Sequence, residues 1–174
     1  MGFPEFIELN RVDFVTIDAI GPPGKRTFYL QAGEDDLVVT MVIEKEHAIA
    51  ISIAVDGVLE RLGGSGDEPE PTALGLVRPV EPLFRVGQLG LGYDEDRDML
   101  IIVAEELTVE EEQGTEVHIW ASRAQMAALA RKAAEVSAAG RPVCSLCGEP
   151  IEPGERHVCV RGNGRKHLYD PGEA

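Results

Sequence analysis

Aromatic side chains are scarce in this chain: Phe, Trp and Tyr together make up 5% of its 174 residues. A core must therefore be filled by Val, Ile, Leu and Ala. The 44% hydrophobic content suffices for one and argues against wholesale disorder. No apolar run approaches the roughly 18 to 20 residues of a membrane span, so no membrane role is expected. The start, MGFPEFIELNRVD, lacks the basic stretch and apolar core of a secretory signal. Gly2 is followed by FPEF, without the Ser or Thr of a myristoylation motif. Cysteines number three, odd and clustered, which excludes a disulfide framework and fits a reducing, cytoplasmic setting. Basic residues are short too, 16 against 31 acidic ones, for a net charge of −15. Residues 1–140 carry 11 basic and 26 acidic residues and hence the whole excess, while 141–174 balance at five of each. Such a body repels phosphate backbones and argues against broad nucleic-acid binding; solubility is the plain reading of its charge.

What is present suggests an α+β fold in two halves. DFVTIDAI (13–20), TFYLQAG (27–33) and LVVTMVI (37–43) read as strands, separated by GPPGKR and GEDD turns. EKEHAIAISIAVDGVLERL (44–62) changes to a helical period, with Ala48, Ile51, Ile53, Val55, Val58, Leu59 and Leu62 on one face. GGSGDEPEPT (63–72) has the composition of a linker. The pattern then recurs. FRVGQLGLGYD (84–94), MLIIVAEEL (99–107) and EVHIWA (116–121) are strands, and SRAQMAALARKAAEVSAAG (122–140) is a helix. Ser122 and Gln125 form a capping-box pattern at its start, and Gly140 is a stop. The expectation is a body over 1–140, made of two strand-strand-strand-helix halves (13–62 and 84–140) with mainly antiparallel sheet. A small zinc-ribbon-like module over 141–174 follows it. Whether six strands make one sheet or two is left open by the sequence.

The tail holds all three cysteines and two of the four histidines. Cys144-x-x-Cys147 followed by Gly148 has the form of a zinc knuckle: the two-residue gap lets a tight turn aim both sulfurs at one ion. Eleven residues with Pro150, Pro153 and Gly154 then lead back to Cys159, as a short hairpin would. Thiolates with imidazole favour zinc over magnesium or calcium, and a tetrahedral site needs a fourth ligand. His157 is the preferred candidate, because two residues apart in an extended segment it shares a face with Cys159. His167 beyond the Gly162–Gly164 turn is the alternative, and water or another group the third. With few apolar side chains, mostly Val143, Leu146, Ile151, Val158, Val160 and Leu168, a domain of this size needs added stability, so the zinc is expected to be structural. Reduced thiols without metal are the plain alternative. A thioredoxin-like CSLC pair lacks a strand-to-helix setting, and a deaminase reading fails because His118 is followed by Ile and Trp rather than x-Glu.

Those residues also carry a resemblance. CSLCGEPIEPGERHVCVRGNG, with SRAQMAALARKAAEVSAAGRPVC before it, resembles an uncharacterised bacterial family classed as a domain of unknown function, over nearly the full length. Its ending typically reads Cys-x-Leu-Cys-Gly-x-Pro, then Gly-His-x-Cys-Pro-Arg-x-Asn-Gly. Cys144, Leu146, Cys147, Gly148, Pro150, His157, Cys159, Arg161, Asn163 and Gly164 match it. Val160 stands where the family often has Pro, and GER replaces a tighter turn before His157. The resemblance implies no known activity. Neighbouring genes in similar families encode histidine-phosphatase-like and lipid-kinase-like proteins, which implies a phosphate-related pathway and partners of those kinds.

Other patterns carry less. Asp94, Asp96, Asp98 and Glu105 have calcium-loop spacing, but Met99 replaces the required glycine and a strand follows, so a solvated hairpin turn is expected. GQLGLG (87–92) is not in dinucleotide-binding order and marks a bulged or closely approached strand. GGSG lacks the Lys-Ser/Thr of a phosphate loop. His47 and His118 read as structural, and Trp120 as core. Arg161, Arg165 and Lys166 form the densest basic cluster, suited to a phosphate, RNA or protein contact, or to simple pairing with acids. Two functions follow as expectations: a non-enzymatic zinc-binding adaptor for a protein or RNA partner, or an enzyme or enzyme subunit acting on a phosphorylated small molecule or nucleotide. No catalytic set is supported by spacing.

Overall fold

The computed structural model describes residues 5–22, 24–72, 74–110, 112–139, 144, 146–149, 151, 156–159, 161 and 166–168, with the backbone alone for 156 and 166–168. The chain divides into two compact units, Met1–Ile20 with Thr27–Ser137, and Gly21–Arg26 with Ala138–Ala174.

The first unit runs β1 (Phe6–Leu9), β2 (Phe14–Ile20), β3 (Thr27–Glu34), β4 (Leu37–Ile43), α1 (Lys45–Arg61), β5 (Phe84–Asp94), β6 (Met99–Glu106), β7 (Glu116–Ser122) and α2 (Arg123–Ala138). The two expected α+β halves are there, β2-β3-β4-α1 and β5-β6-β7-α2. All their strands join one mixed sheet in the order β1-β7-β6-β5-β4-β3-β2. Within each half the pairing is antiparallel, and the halves meet through a parallel contact of Met41 with Phe84 and Val42 with Arg85.

One strand, β1, escapes periodicity: FIEL is too short to show it. It pairs in parallel with β7, Phe6 opposite Glu116 through Leu9 opposite Ile119. β1 and β2 lie at opposite ends of the sheet order yet are consecutive in sequence. Between them the Val12 N–H donates to the Trp120 carbonyl at 3.1 Å, and the Asp13 N–H to the Gly33 carbonyl at 2.7 Å. Residues 6–20 thus run from one end of the sheet order to the other, paired with β7 through β1 and with β3 through β2. This makes the halves equivalent. The run 6–20 pairs first in parallel with β7 and then antiparallel with β3, as β5 pairs first with β4 and then with β6.

The inward residues alternate as period two demands: Val15, Ile17, Leu30, Ala32, Met41, Leu100, Ile102, Ala104, Val117 and Ile119 are fully buried or nearly so. Helical residues complete the core, Ala48, Ile51, Val55 and Leu59 from α1 and Met126, Leu129, Ala130 and Ala133 from α2. Two expectations need correction. Trp120 is not core: alternation buries Val117, Ile119 and Ala121 and turns Trp120 outward, where Arg97 lies over its ring at 4.2 Å and its indole N–H reaches Glu8 at 3.1 Å. Ile53 is not on the buried stripe of α1 either. At 3.6 residues per turn, positions 48, 51, 55 and 59 line up and 53 falls outside them, 68% exposed.

The described residues of 63–83 form no helix or strand, but they are held. Thr16, Gln31 and Thr40 sit side by side across three strands on the face opposite Leu30 and Met41. Gln31, fully buried, accepts from the Val77 N–H at 2.7 Å and donates to the Val77 carbonyl and Thr40 Oγ1 at 3.0 and 2.9 Å. Its amide meets the connection as a strand backbone would, and among the described residues no buried side-chain nitrogen or oxygen lacks a partner. GQLGLG lies in β5, where the register slips between Val86 and Gln88. A Cβ at Gly87 would come within 3.1 Å of the Leu107 backbone, so the bulge needs glycine there. Among the described helices, none is long and apolar enough to cross a membrane.

In the second unit, β8 (Arg156–Val158) and β9 (Lys166–Leu168) form an antiparallel pair with His157 opposite His167.

Candidate metal centre

The Cys144–Gly148 turn builds the first half of the centre. The Gly148 N–H donates to the Cys144 carbonyl at 2.8 Å, and the Cys144 N–H to the Glu149 carbonyl at 2.8 Å. Gly148 has φ +74°, a conformation that residues with a Cβ seldom adopt. The tight curl turns backbone N–H groups of Cys147 and Leu146 toward the Cys144 sulfur. Together they hold its thiol down to about 6, against the opposing effect of burial. Cys147 receives the Glu149 N–H, which lowers its thiol. Burial and the adjoining sulfurs of Cys144 and Cys159 outweigh that and push it up. The Cys144 thiolate is thus favoured before that of Cys147.

The second half comes from β8 and the residue after it. His157 Nε2 lies 3.2 Å from Cys147 Sγ. Cys159 is fully buried, and Cys144 nearly so, packed with Ile151. The four donor atoms of Cys144, Cys147, His157 and Cys159 all lie within 4.8 Å of one another. Donors about 2.0 to 2.3 Å from one zinc stand roughly 3.3 to 3.8 Å apart in a tetrahedron, so the cluster fits such an ion with small adjustment. Three sulfurs and one imidazole also match the softness of zinc. An ion there would draw all three thiols to thiolates and supply the charge that makes their crowding stable.

Of the remaining tail residues, Arg161 is exposed, while Pro150, Pro153, Gly154, the expected turn at 162–164 and Arg165 lie outside the described residues. Lys166 and His167 are placed in β9 by their backbone alone.

Elsewhere the histidines hold the frame. His47 Nδ1 accepts the Glu44 N–H at 3.1 Å and so caps α1. His118 pairs with Glu116 and meets the Phe6 ring edge-on, centroids 4.7 Å apart. The 94–98 turn is a solvated hairpin, as expected. Its Asp98, however, belongs to a cluster that spacing did not reveal. Tyr93 OH donates to Asp98 at 2.6 Å, Arg123 Nε donates to the same oxygen at 2.7 Å, and Arg123 Nη1 reaches the Leu62 carbonyl at 2.9 Å. A cation in the first turn of α2 opposes the helix dipole. Here it satisfies the end of α1 and joins the two halves. These bonds, Tyr93 first and Arg123 second, hold the Asp98 carboxyl below its usual range. The available clue was an arginine directly after the capping Ser122.

The family model described as "protein of unknown function (DUF3090)" matches residues 7–159, and the chain belongs to that family. Searches of the curated proteins and of the solved structures return no match.

Proposed function

We propose that this member of the DUF3090 family binds one zinc ion through Cys144, Cys147, His157 and Cys159. The metal is structural, and the chain acts as a non-enzymatic adaptor for a protein or RNA partner. The observation that carries the metal is the convergence of four compatible donors within 4.8 Å, in a segment whose buried cluster, among the described residues, is Cys144, Ile151 and Cys159. Four protein donors complete a tetrahedron and leave no open position for a substrate or an activated water. The family match spans all four residues and stops before His167, which supports His157 as the fourth ligand. Arg161, Arg165 and Lys166 follow the last cysteine and supply positive charge for the partner contact, against a body that repels phosphate.

The test is elemental analysis of the purified full-length chain. About one zinc per chain is expected, sharply reduced by Cys144→Ser and His157→Ala and unchanged by His167→Ala. Full zinc retained by His157→Ala, and lost from His167→Ala, would overturn the ligand assignment.

A further inference from the structure

The two helices of the body start alike and end differently. Each has a capping pair, Glu44 with His47 and Ser122 with Gln125. Aligned on those pairs, the inward positions agree: Ala48, Ile51, Ser52, Val55 and Leu59 correspond to Met126, Leu129, Ala130, Ala133 and Ser137, and all ten are buried. The outward positions do not agree. In α2 they are Ala127 and Ala128, buried, and Arg131 and Lys132, which pair with Glu70 and Asp18. The corresponding α1 residues are Ile49, Ala50, Ile53 and Ala54, with Ile49 40% and Ile53 68% exposed. In α2 these places are either covered or charged and paired; in α1 the same places leave apolar side chains open to solvent.

Beside this face is an apolar recess of about 110 Å³, lined by Ala50, Ala54, Leu89, Leu91 and Ile102. Small-molecule sites run to roughly 300 to 1,000 Å³, so this one is too small for a ligand and suits one inserted side chain. Charge narrows the occupant. Glu46, Asp56 and Glu60 are exposed along the same helix, and no basic residue falls between Lys45 and Arg61. A second copy would bring another net charge of −15 against them.

We infer that the outer face of α1 and its recess form a docking surface for a protein segment with an apolar anchor flanked by Lys or Arg. Ile49 and Ile53 provide the apolar floor, the recess takes the anchor, and the three acids meet the basic flanks. This rests on the partner-binding part of the reading above and is independent of the metal, since every residue lies in the body. Such an arrangement gives affinity from the anchor and rate and selectivity from the charges.

The test is fluorescence anisotropy of the zinc-loaded full chain with two labelled helical peptides. One has a Leu stripe with Lys on its flanks, the other the same stripe with Glu. The basic peptide should bind at least tenfold tighter than the acidic one. Ile53→Ser, which changes no charge and is already exposed, should weaken it at least tenfold. Glu135→Lys, on the exposed face of α2, should change it less than threefold. Amide shifts from the basic peptide should map to Lys45–Arg61 and Leu89–Leu91. Undiminished binding in Ile53→Ser, equal binding of both peptides, or shifts confined to other strands would overturn the surface. Dimers by sedimentation that Ile53→Ser dissolves would show a second copy as the occupant and overturn the partner. Cys159→Ser separates the two proposals, because it should strip zinc and leave peptide binding intact.

Discussion

The body and the tail solve the same problem with opposite means. In the body, side chains from seven strands and two helices bury one another, and even the buried polar row of Thr16, Gln31 and Thr40 finds partners. In the tail, the buried cluster consists of Cys144, Cys159 and Ile151, with Cys147 at its side. Of the apolar candidates for a tail core, Ile151 is buried in that cluster, while Leu146 is 49% exposed and Val158 54%; Val143, Val160 and the Leu168 side chain lie outside the described residues. A body of this kind draws stability from removing apolar area from water. The described part of the tail buries little besides its donors, and three thiolates brought this close repel one another unless a cation sits among them. On the proposed reading, stability is spread over many residues in the body and concentrated in four in the tail.

The strongest challenge to that contrast is removal of the metal. Chelation, or Cys159→Ser, should expose the tail to protease within residues 144–168 while the thermal transition of the body is kept. Limited proteolysis followed by mass analysis reads both at once. Loss of the body transition together with the tail would refute the division. The converse perturbation is Leu129→Ala, which removes a fully buried side chain from α2. It should cost about 2 to 5 kcal/mol in denaturant unfolding of the body, with zinc content unchanged in the folded protein. A value below about 1 kcal/mol would mean that the α2 core position is not packed as described.

Legibility in the sequence followed the same contrast. The six main strands and both helices were readable because burial on one face imposes a period, and that period is written in Val, Ile, Leu and Ala. ISIAV, which looks like strand, reads as helix because the stripe of Ala48, Ile51, Val55 and Leu59 runs through it. The donor set was readable because metal chemistry restricts residue type and spacing. Long-range facts were not. β1 has four residues and owes its existence to β7. The passage from β7 to β3 through Val12 and Asp13 depends on two backbone N–H donors, which every residue but proline supplies. Trp120 and Ile53 were assigned inward by hydrophobicity alone, when geometry turned them out. The Tyr93–Asp98–Arg123 cluster joins residues brought together only by the fold.

A smaller effect belongs to the helix start that was legible. The Ser122 N–H donates to Gln125 Oε1 at 2.9 Å, and Ser122 Oγ accepts the Gln125 N–H at 3.1 Å. Ser122→Ala should cost the body about 1 kcal/mol, read in the same unfolding experiment. No measurable change would mean that water replaces the cap.

The smallest effect concerns the cluster that was not legible, and it is a matter of pH. Asp98 has its folded-state pKa lowered by the Tyr93 hydroxyl and Arg123, so its contribution is present above the ordinary carboxylate range of about 4 and is lost as pH falls through the lowered folded value. The group is solvent-exposed and its ion pair is screened, which keeps the effect modest. Asp98→Asn is the suitable variant, since the residue sits at φ +51°, where Asn is tolerated. The melting temperature of Asp98→Asn should lie slightly below that of the parent at pH 7, and the gap should close as pH drops below about 4. Added salt at pH 7 should narrow it as well. A gap that stays constant from pH 7 to 3 would assign the loss to the turn itself. Arg123 would then tie α2 to the end of α1 through the Leu62 and Gly64 carbonyls, and the joint between the halves would be a helix cap rather than an ion pair.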